Sequence, residues 1–363
     1  MDNKPLPTTS VSNPELWRPD WTKGEPRDAE RLWLDKNENT DPVQTALVRN
    51  VVASLNPATL HCYPEPEPLY RKLSEHTGLN AENLLLSAGS DGAIRAAFEA
   101  YIEPGDTVVY TSPTFAMYAV YGKIYGADCR ALAYRPSNNG PVLLATDVVD
   151  AISDAQPKMV CLPNPDSPTG TTFDGLEMRA IIEAAARCGA LMLVDEAYYP
   201  FHKETVLPWV KDYDHLIVTR STGKAWGLAG VRIGYAAASS DIARNLHKVR
   251  AMYETNTLAM AVFEAMLDYE DEMLESVARL EAGKTFFLQS MQALGFRTLN
   301  GQGNFMHVAF GVHAEAVHEA LENLVYYRKD FAEPCLKGFS RFSSTTPELF
   351  KSIVNRIQDT VQQ

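Results

Sequence analysis

Six short apolar runs punctuate the chain between residues 83 and 239: NLLLS, DTVVYTS, KMVCLP, ALMLVDE, HLIVTRS and RIGYAAAS. Each is almost wholly apolar, without the alternation of a strand that keeps one wet face. Such runs predict strands covered on both sides. Helical stretches separate them. In the first, Ile94, Ala97, Phe98 and Tyr101 share one face, Ser90 is placed to cap the start, and EPGD ends it. This alternation predicts an α/β fold with a mostly parallel sheet covered by helices.

Beyond Asp241 the pattern changes. A long acidic helical region at 261–295 leads into a final third with fewer strands, which predicts a smaller α/β C-terminal domain. The excess of carboxylates there reads as a solvated helix face. Residues 1 to about 30 are rich in proline, tryptophan and charge and show no period, so they read as an arm lying on other structure. The expected organisation is an arm over 1–38 on the small domain or a partner, a large domain over 39–240 and a small domain over 241–363.

Composition narrows the function classes. The 363 residues are 45% hydrophobic and 22% charged, enough for a large core in an ordinary globular protein. A formal net charge of −13 argues against nucleic acid as a partner, which requires a basic face. No apolar run approaches the ~20 residues that span a bilayer. The start, MDNKPLPTTSVSNPELW, has no apolar signal core, so a cytoplasmic protein is expected. The five cysteines lack CxxC spacing, which predicts reduced thiols and no metal site.

Ligands of open α/β sheets bind outside the carboxyl ends of the strands. The residues that follow the apolar runs are AGSDG (88–92), SPTF (112–115), PNPDSPTG (163–170), DEAYY (195–199) and STGK (221–224), then Arg232. Together they are the parts needed to hold pyridoxal phosphate. Lys224 offers an amine for the aldehyde. Asp195 is a carboxylate for the ring nitrogen, and Tyr198 is a donor for the phenolate oxygen. Gly89, Ser90 and Asp91 open a helix where a phosphate would bind. Arg232 and Ser221 add a bidentate cation and a hydroxyl, and Phe115 is an aromatic lid. Any one of these features alone is more often a turn, a cap, a core ring or a surface lysine. Their joint order at successive strand ends is what carries the reading.

The chain resembles the fold-type I, class I/II aminotransferases, and most closely their histidinol-phosphate aminotransferase branch. The resemblance runs from PDWTKGEP and LDKNEN through YPEPEPLYRKLSEHTG, SAGSDGAIRAAFEAYIEPGD, NPDSPTG, VDEAYYPF and GKAWGLAGVRIGY to SRFSSTTPE. It implies that Lys224 is the Schiff-base lysine, with Asp195 and Tyr198 as its catalytic companions and Ser221 and Arg232 on the phosphate. It further implies a homodimer in which Tyr63 reaches the partner's phosphate. Arg341, with Arg328 nearby, would bind the acidic end of the substrate, and Asn37 of the NEN stretch would lie on the substrate side. The chain departs from the family at Ser167, where an asparagine is usual, leaving Asn164 or Asp166 to approach the phenolate oxygen. It also departs at Gly92, at Gly223, at Thr40 of NENT, and at Trp21, where a tyrosine helps bind the substrate phosphate. The implied reaction moves an amino group between an amino acid or amino phosphate and a 2-oxo acid such as 2-oxoglutarate. A decarboxylase resembling threonine-phosphate decarboxylase is the alternative on the same scaffold.

Overall fold

The computed structural model describes residues 5–18, 21–24 and 26–362, with Trp21 described by its backbone alone. In chain order the elements begin with β1 (Leu32–Trp33), α1 (Pro42–Ser54), α2 (Glu67–Thr77), β2 (Leu84–Ser87), α3 (Gly89–Tyr101), β3 (Thr107–Ser112), α4 (Met117–Tyr125) and β4 (Asp128–Ala133). Next come α5 (Ala145–Ala155), β5 (Met159–Pro163), α6 (Gly175–Arg187), β6 (Leu191–Asp195), β7 (Leu216–Ser221) and β8 (Gly234–Ala238). The chain continues with α7 (Ser240–Val249), α8 (Thr257–Met266), α9 (Glu270–Ala293), β9 (Arg297–Leu299) and β10 (Phe305–Ala309). It closes with α10 (Ala314–Leu321), β11 (Val325–Tyr326), β12 (Ser340–Ser343) and α11 (Pro347–Val361).

Seven strands form the main sheet in the order β2-β8-β7-β6-β5-β3-β4. Six run in one direction, and β8 alone is antiparallel to both its neighbours. Both faces are dry, as the unbroken apolar runs require. Along β5, Val160 and Leu162 enter one core while Met159 and Cys161 enter the other, and β6 divides in the same way. The edge strand β4 was not foreseen. It carries exposed Asp128 and Arg130 in a 2.7 Å ion pair, charges that discourage edge-to-edge pairing.

The second unit is a three-stranded antiparallel sheet, β12-β10-β9, backed by α9, α10 and α11. Its core includes Phe287, Met291, Phe342 and Phe350, and it also takes in Leu34 from the end of the arm. The arm is joined there by backbone, with β1 parallel to β11. The two cores meet inside α9. Met273, Val277 and Leu280 belong to the large core, whereas Phe287, Leu288 and Met291 belong to the small one. The expected boundary after residue 240 thus precedes two helices, α7 and α8, that pack on the large sheet.

Gly283 lies where α9 changes cores. A Cβ there would run into the Thr345 carbonyl, a backbone group that cannot turn aside. Gly283→Ala should therefore destabilise the protein by about 1–3 kcal/mol despite alanine's better helix propensity. A lower urea midpoint with an unchanged slope would show it.

Candidate active site

The carboxyl ends of β2, β5, β6 and β7 open into a cleft of about 200 Å³. Its lining includes Gly89, Ser90, Asp91, Phe115, Ser167, Asp195, Tyr198, Ser221, Lys224 and Arg232. Ten of the sixteen site residues expected from the sequence thus share one cavity. Pro163, Pro165, Ala197, Gly223 and Ala229 complete it. These five carry no side-chain chemistry that a sequence reading could single out.

Asp195 forms the floor. It ends β6 and is only 5% exposed. Oδ1 accepts from the Thr219 hydroxyl at 2.9 Å and the Ala197 N–H at 3.1 Å, and Oδ2 accepts from the Tyr118 hydroxyl at 3.2 Å. Burial pushes its carboxyl up to about 6, against the pull of these donors. Thr219 is the register partner of Asp195 across β6 and β7, so the sheet itself supplies that donor.

Lys224 stands in the turn after β7, its Nζ donating to the Lys36 carbonyl at 2.7 Å. Burial, then the positive charges of Arg341 and Arg232, bring its amine down to about 8. The turn is held from outside. Asn39 Nδ2 donates to the Ala225 carbonyl and Gln44 Nε2 to the Trp226 carbonyl, both at 2.9 Å. Asp41, which follows the departure at Thr40, caps α1 through the Val43 N–H and pairs with Arg279 at 2.8 Å.

At one end of the cleft, α3 begins at Gly89 with φ of 75°, and Ala88 is its cap residue. Ser90 therefore does not cap the helix as expected, because the cap and helix start lie two residues earlier, at Ala88 and Gly89, and leave its side chain in the cleft lining. A Cβ on Gly89 would lie 2.8 Å from Arg232 Nη2, and one on Gly234 would lie 2.6 Å from the Ser90 nitrogen. Glycine at both positions lets β8, Arg232 and the helix start converge. Arg232 itself is held at φ 59°, a left-handed conformation that costs a non-glycine residue on the order of 1 kcal/mol. Its guanidinium meets two backbone carbonyls, of Ala229 at 3.3 Å and Ala88 at 3.5 Å. Among the described residues it has no carboxylate within ion-pair distance.

Arg341 in β12 is 7% exposed. Nη2 donates to the Asp35 carbonyl at 2.8 Å and Nη1 to the Ser167 hydroxyl at 3.3 Å, while the buried Nε has no partner. Burial holds the guanidinium below its usual value. Tyr198 packs edge-on to Phe305, and its hydroxyl accepts from Asn37 Nδ2 at 2.8 Å. Asn37 sits at φ 56°, fixed by Ser343 Oγ and by Asn304 Nδ2, which donates to its carbonyl.

Other expected site residues stand elsewhere. Arg328 pairs through its backbone with Arg341, but its side chain is exposed, covering Phe331 and facing Glu333 at 3.5 Å. The Asn164 amide is committed to Phe173, donating to its carbonyl and accepting from its N–H, and does not line the cleft. Tyr63 is 74% exposed and stacked on Tyr253 away from the cleft. The Trp21 side chain lies outside the described residues. No group of residues suited to a metal ion occurs among the described residues, and no described helix is long and apolar enough to cross a membrane.

In fold, the chain matches solved aminotransferases. Histidinol-phosphate aminotransferase from Sinorhizobium meliloti, solved in complex with pyridoxal-5'-phosphate, superposes with a TM-score of 0.78 at 21% identity, over 91% of this chain and 90% of that one. Aspartate aminotransferase from Thermus thermophilus with maleate gives a TM-score of 0.75 at 19% identity, over 91% and 92% of the two chains. Sequence comparison goes further. The family model for aminotransferase class I and II matches residues 29–357. Histidinol-phosphate aminotransferase of Thermoanaerobacter sp. (strain X514) is 30% identical over 334 residues, 91% of this chain and 93% of that protein. The chain belongs to the aminotransferase class I and II family, and it is a transaminase.

The lowered Lys224 amine generates a prediction for the cofactor-free protein. Its folded-state value lies below the ordinary 10.5, so stability should rise as pH climbs from about 8 to 10.5, where the unfolded chain still binds the proton. Arg341→Gln removes a neighbouring positive charge and should move the Lys224 titration upward. The pH dependence of Lys224 acylation, read by peptide mass, measures both states.

Proposed function

We propose that the cleft holds pyridoxal phosphate and transfers an amino group from an anionic amino donor to a 2-oxo acid. One observation carries this reading: a lysine amine lowered to about 8 and a buried carboxyl raised to about 6 line one cavity with an exposed, carboxylate-free arginine at a helix start. The residues fit the group. Arg232, the first N–H groups of α3, and the Ser90 and Ser221 hydroxyls suit a phosphate. Asp195 suits a protonated ring nitrogen, whose charge would favour the carboxylate form. Pyridoxal phosphate supplies an aldehyde for the Lys224 amine and an electron-poor ring that takes up the electron pair left at the substrate α-carbon.

The remaining work belongs to side chains of this chain. Lys224 Nζ moves the substrate α-proton, and an amine titrating near 8 is suited to both accept and return it near neutral pH. Tyr198 lines the cleft, and its hydroxyl, which accepts from Asn37 behind it, would keep its own proton to donate to a phenolate oxygen. Ser167 is the nearer candidate for that oxygen than Asn164, whose amide is spent on Phe173. Arg341 receives the substrate's acidic group, using the Nε that has no partner inside the protein. Arg328 adds distant positive charge only, since its side chain is turned to Glu333. The relatives named histidinol-phosphate aminotransferase support an amino phosphate such as histidinol phosphate as donor. No residue of the cleft favours the decarboxylating alternative. Exposed Tyr63, beside exposed Leu60, Met252 and Tyr253, supports a homodimer in which Tyr63 serves the partner's site.

Borohydride treatment of the yellow holoenzyme should fix the cofactor at Lys224, as read by peptide mass. Lys224→Ala should still bind pyridoxal phosphate yet lose turnover by about three orders of magnitude or more, since attachment and proton transfer vanish together. A label on another lysine would remove the assignment.

Arg341→Lys keeps the charge but loses the planar fork. It should lower kcat/KM for an anionic donor about 10- to 100-fold, roughly 1.4–3 kcal/mol for a charge-assisted bond. Histidinol phosphate compared with aromatic and aliphatic amino acids, in wild type and variant, identifies the donor class. An equal loss for histidinol, an amino donor with neither phosphate nor carboxylate, would show that Arg341 does not bind an acidic group.

A further inference from the structure

Behind the wall that carries Phe115 and Ser167 lies a carboxylate that the chemistry above does not use. Asp166 is fully buried. Oδ1 accepts from the Thr114 hydroxyl at 2.6 Å, and Oδ2 accepts from the Thr111 hydroxyl at 2.6 Å and the Tyr134 hydroxyl at 2.8 Å. The Ser167 N–H is a further donor, and the Tyr134 oxygen accepts from Thr171 at 2.9 Å. Tyr118 of α4 and Cys335 are the other titratable groups that feel its charge, and burial pushes both up. Among the described residues no cation lies within ion-pair distance. A lone buried charge costs stability, and an apolar or neutral side chain would cost less.

The donors come from separate parts of the cleft. Thr111 is the penultimate residue of β3, Thr114 directly precedes Phe115, and Tyr134 follows β4. Asp166 itself directly precedes Ser167, whose hydroxyl accepts from Arg341. An ionised carboxylate accepts from all three hydroxyls at once, whereas an amide would turn two N–H donors toward them and force reversals. We propose that Asp166 is a positioning residue of the transamination site, its carboxylate gathering Thr111, Thr114 and Tyr134 so that Phe115 and Ser167 are presented in one geometry. This rests on the pyridoxal phosphate reading of the same cleft.

Burial raises the Asp166 carboxyl from 3.8 to about 7. The folded state therefore holds its proton more tightly than the unfolded chain. Its ionisation erodes stability as pH rises from 3.8 to about 7, and the loss is complete above that. The charge serves the cleft at the expense of the fold, and that contrast is measurable.

Asp166→Asn keeps the shape and removes the charge. Three readouts apply: melting temperature of the cofactor-free protein against pH, absorbance titration with pyridoxal phosphate, and the pH profile of kcat/KM. At pH 8 the variant should bind the cofactor about 5- to 30-fold more weakly and lose about 10- to 100-fold in kcat/KM. Its melting temperature relative to wild type should rise between pH 4 and pH 7, and the wild-type acid limb near pH 7 should be missing from its profile. Unchanged affinity and kcat/KM would overturn the proposal. So would a melting temperature lowered equally at every pH, which marks a purely structural group. A wild type that binds no pyridoxal phosphate would overturn the cofactor reading and this one with it. If Asp166→Asn does not fold, Thr114→Val carries the test: smaller losses of both affinity and kcat/KM support the proposal, and unchanged values reject it.

Discussion

The register between β6 and β7 places Asp195 opposite Thr219, and the cleft is built outward from that pair. A carboxylate this deep would stay protonated without donors, so Thr219, Ala197 and Tyr118 are what keep its titration near neutrality. A slip of one residue along either strand would send one of the two side chains to the opposite face of the sheet. The dry, wholly apolar strands make such a slip costly on both faces at once. Core packing and site chemistry are thus secured by the same alignment.

Lys224 depends on a different part of the chain. Its turn is braced by residues 36–44, through the Lys36 carbonyl, Asn39 and Gln44. That segment is pinned in turn. Arg27 reaches Glu38 with two hydrogen bonds of 2.8 Å, bonds Asp35 at 2.9 Å and covers the Trp33 ring. The carbonyl of Asp35 accepts from Arg341, and Ser343 accepts from the Asn37 N–H. The described residues 27–39 therefore brace the Lys224 turn and tie it to the small domain.

Much of this was legible in the sequence because parallel sheets write their sites at strand ends. Lys224 follows an apolar run, Asp195 ends one and Arg232 opens one, and the structure brings them together. What was hidden depends on tertiary partners. Asn164 looked free to approach a ligand until Phe173 took both ends of its amide. Ser90 looked like a cap, but the left-handed Gly89 starts α3 earlier. β4 escaped notice because an edge strand with charged, exposed positions has no apolar run to mark it. Tyr118, Thr219 and the hydroxyls around Asp166 carry no local signal, since each acquires its role only by meeting a carboxylate from a distant part of the chain.

The path of α9 has a consequence for how the molecule comes apart. A continuous helix of 24 residues contributes its first half to one core and its second half to the other. Where Gly283 permits close contact, the Thr345 backbone lies directly against it, and Lys284 Nζ beside it donates to the Gly301 and Gly303 carbonyls. Gln302 of that loop donates through its N–H to the carbonyl of Gly170, in the loop that carries Ser167. Neither unit can melt without fraying the shared helix and loosening that loop. Thermal loss of the small unit and loss of the catalytic cleft are for this reason one cooperative event, with α9 as the common spine.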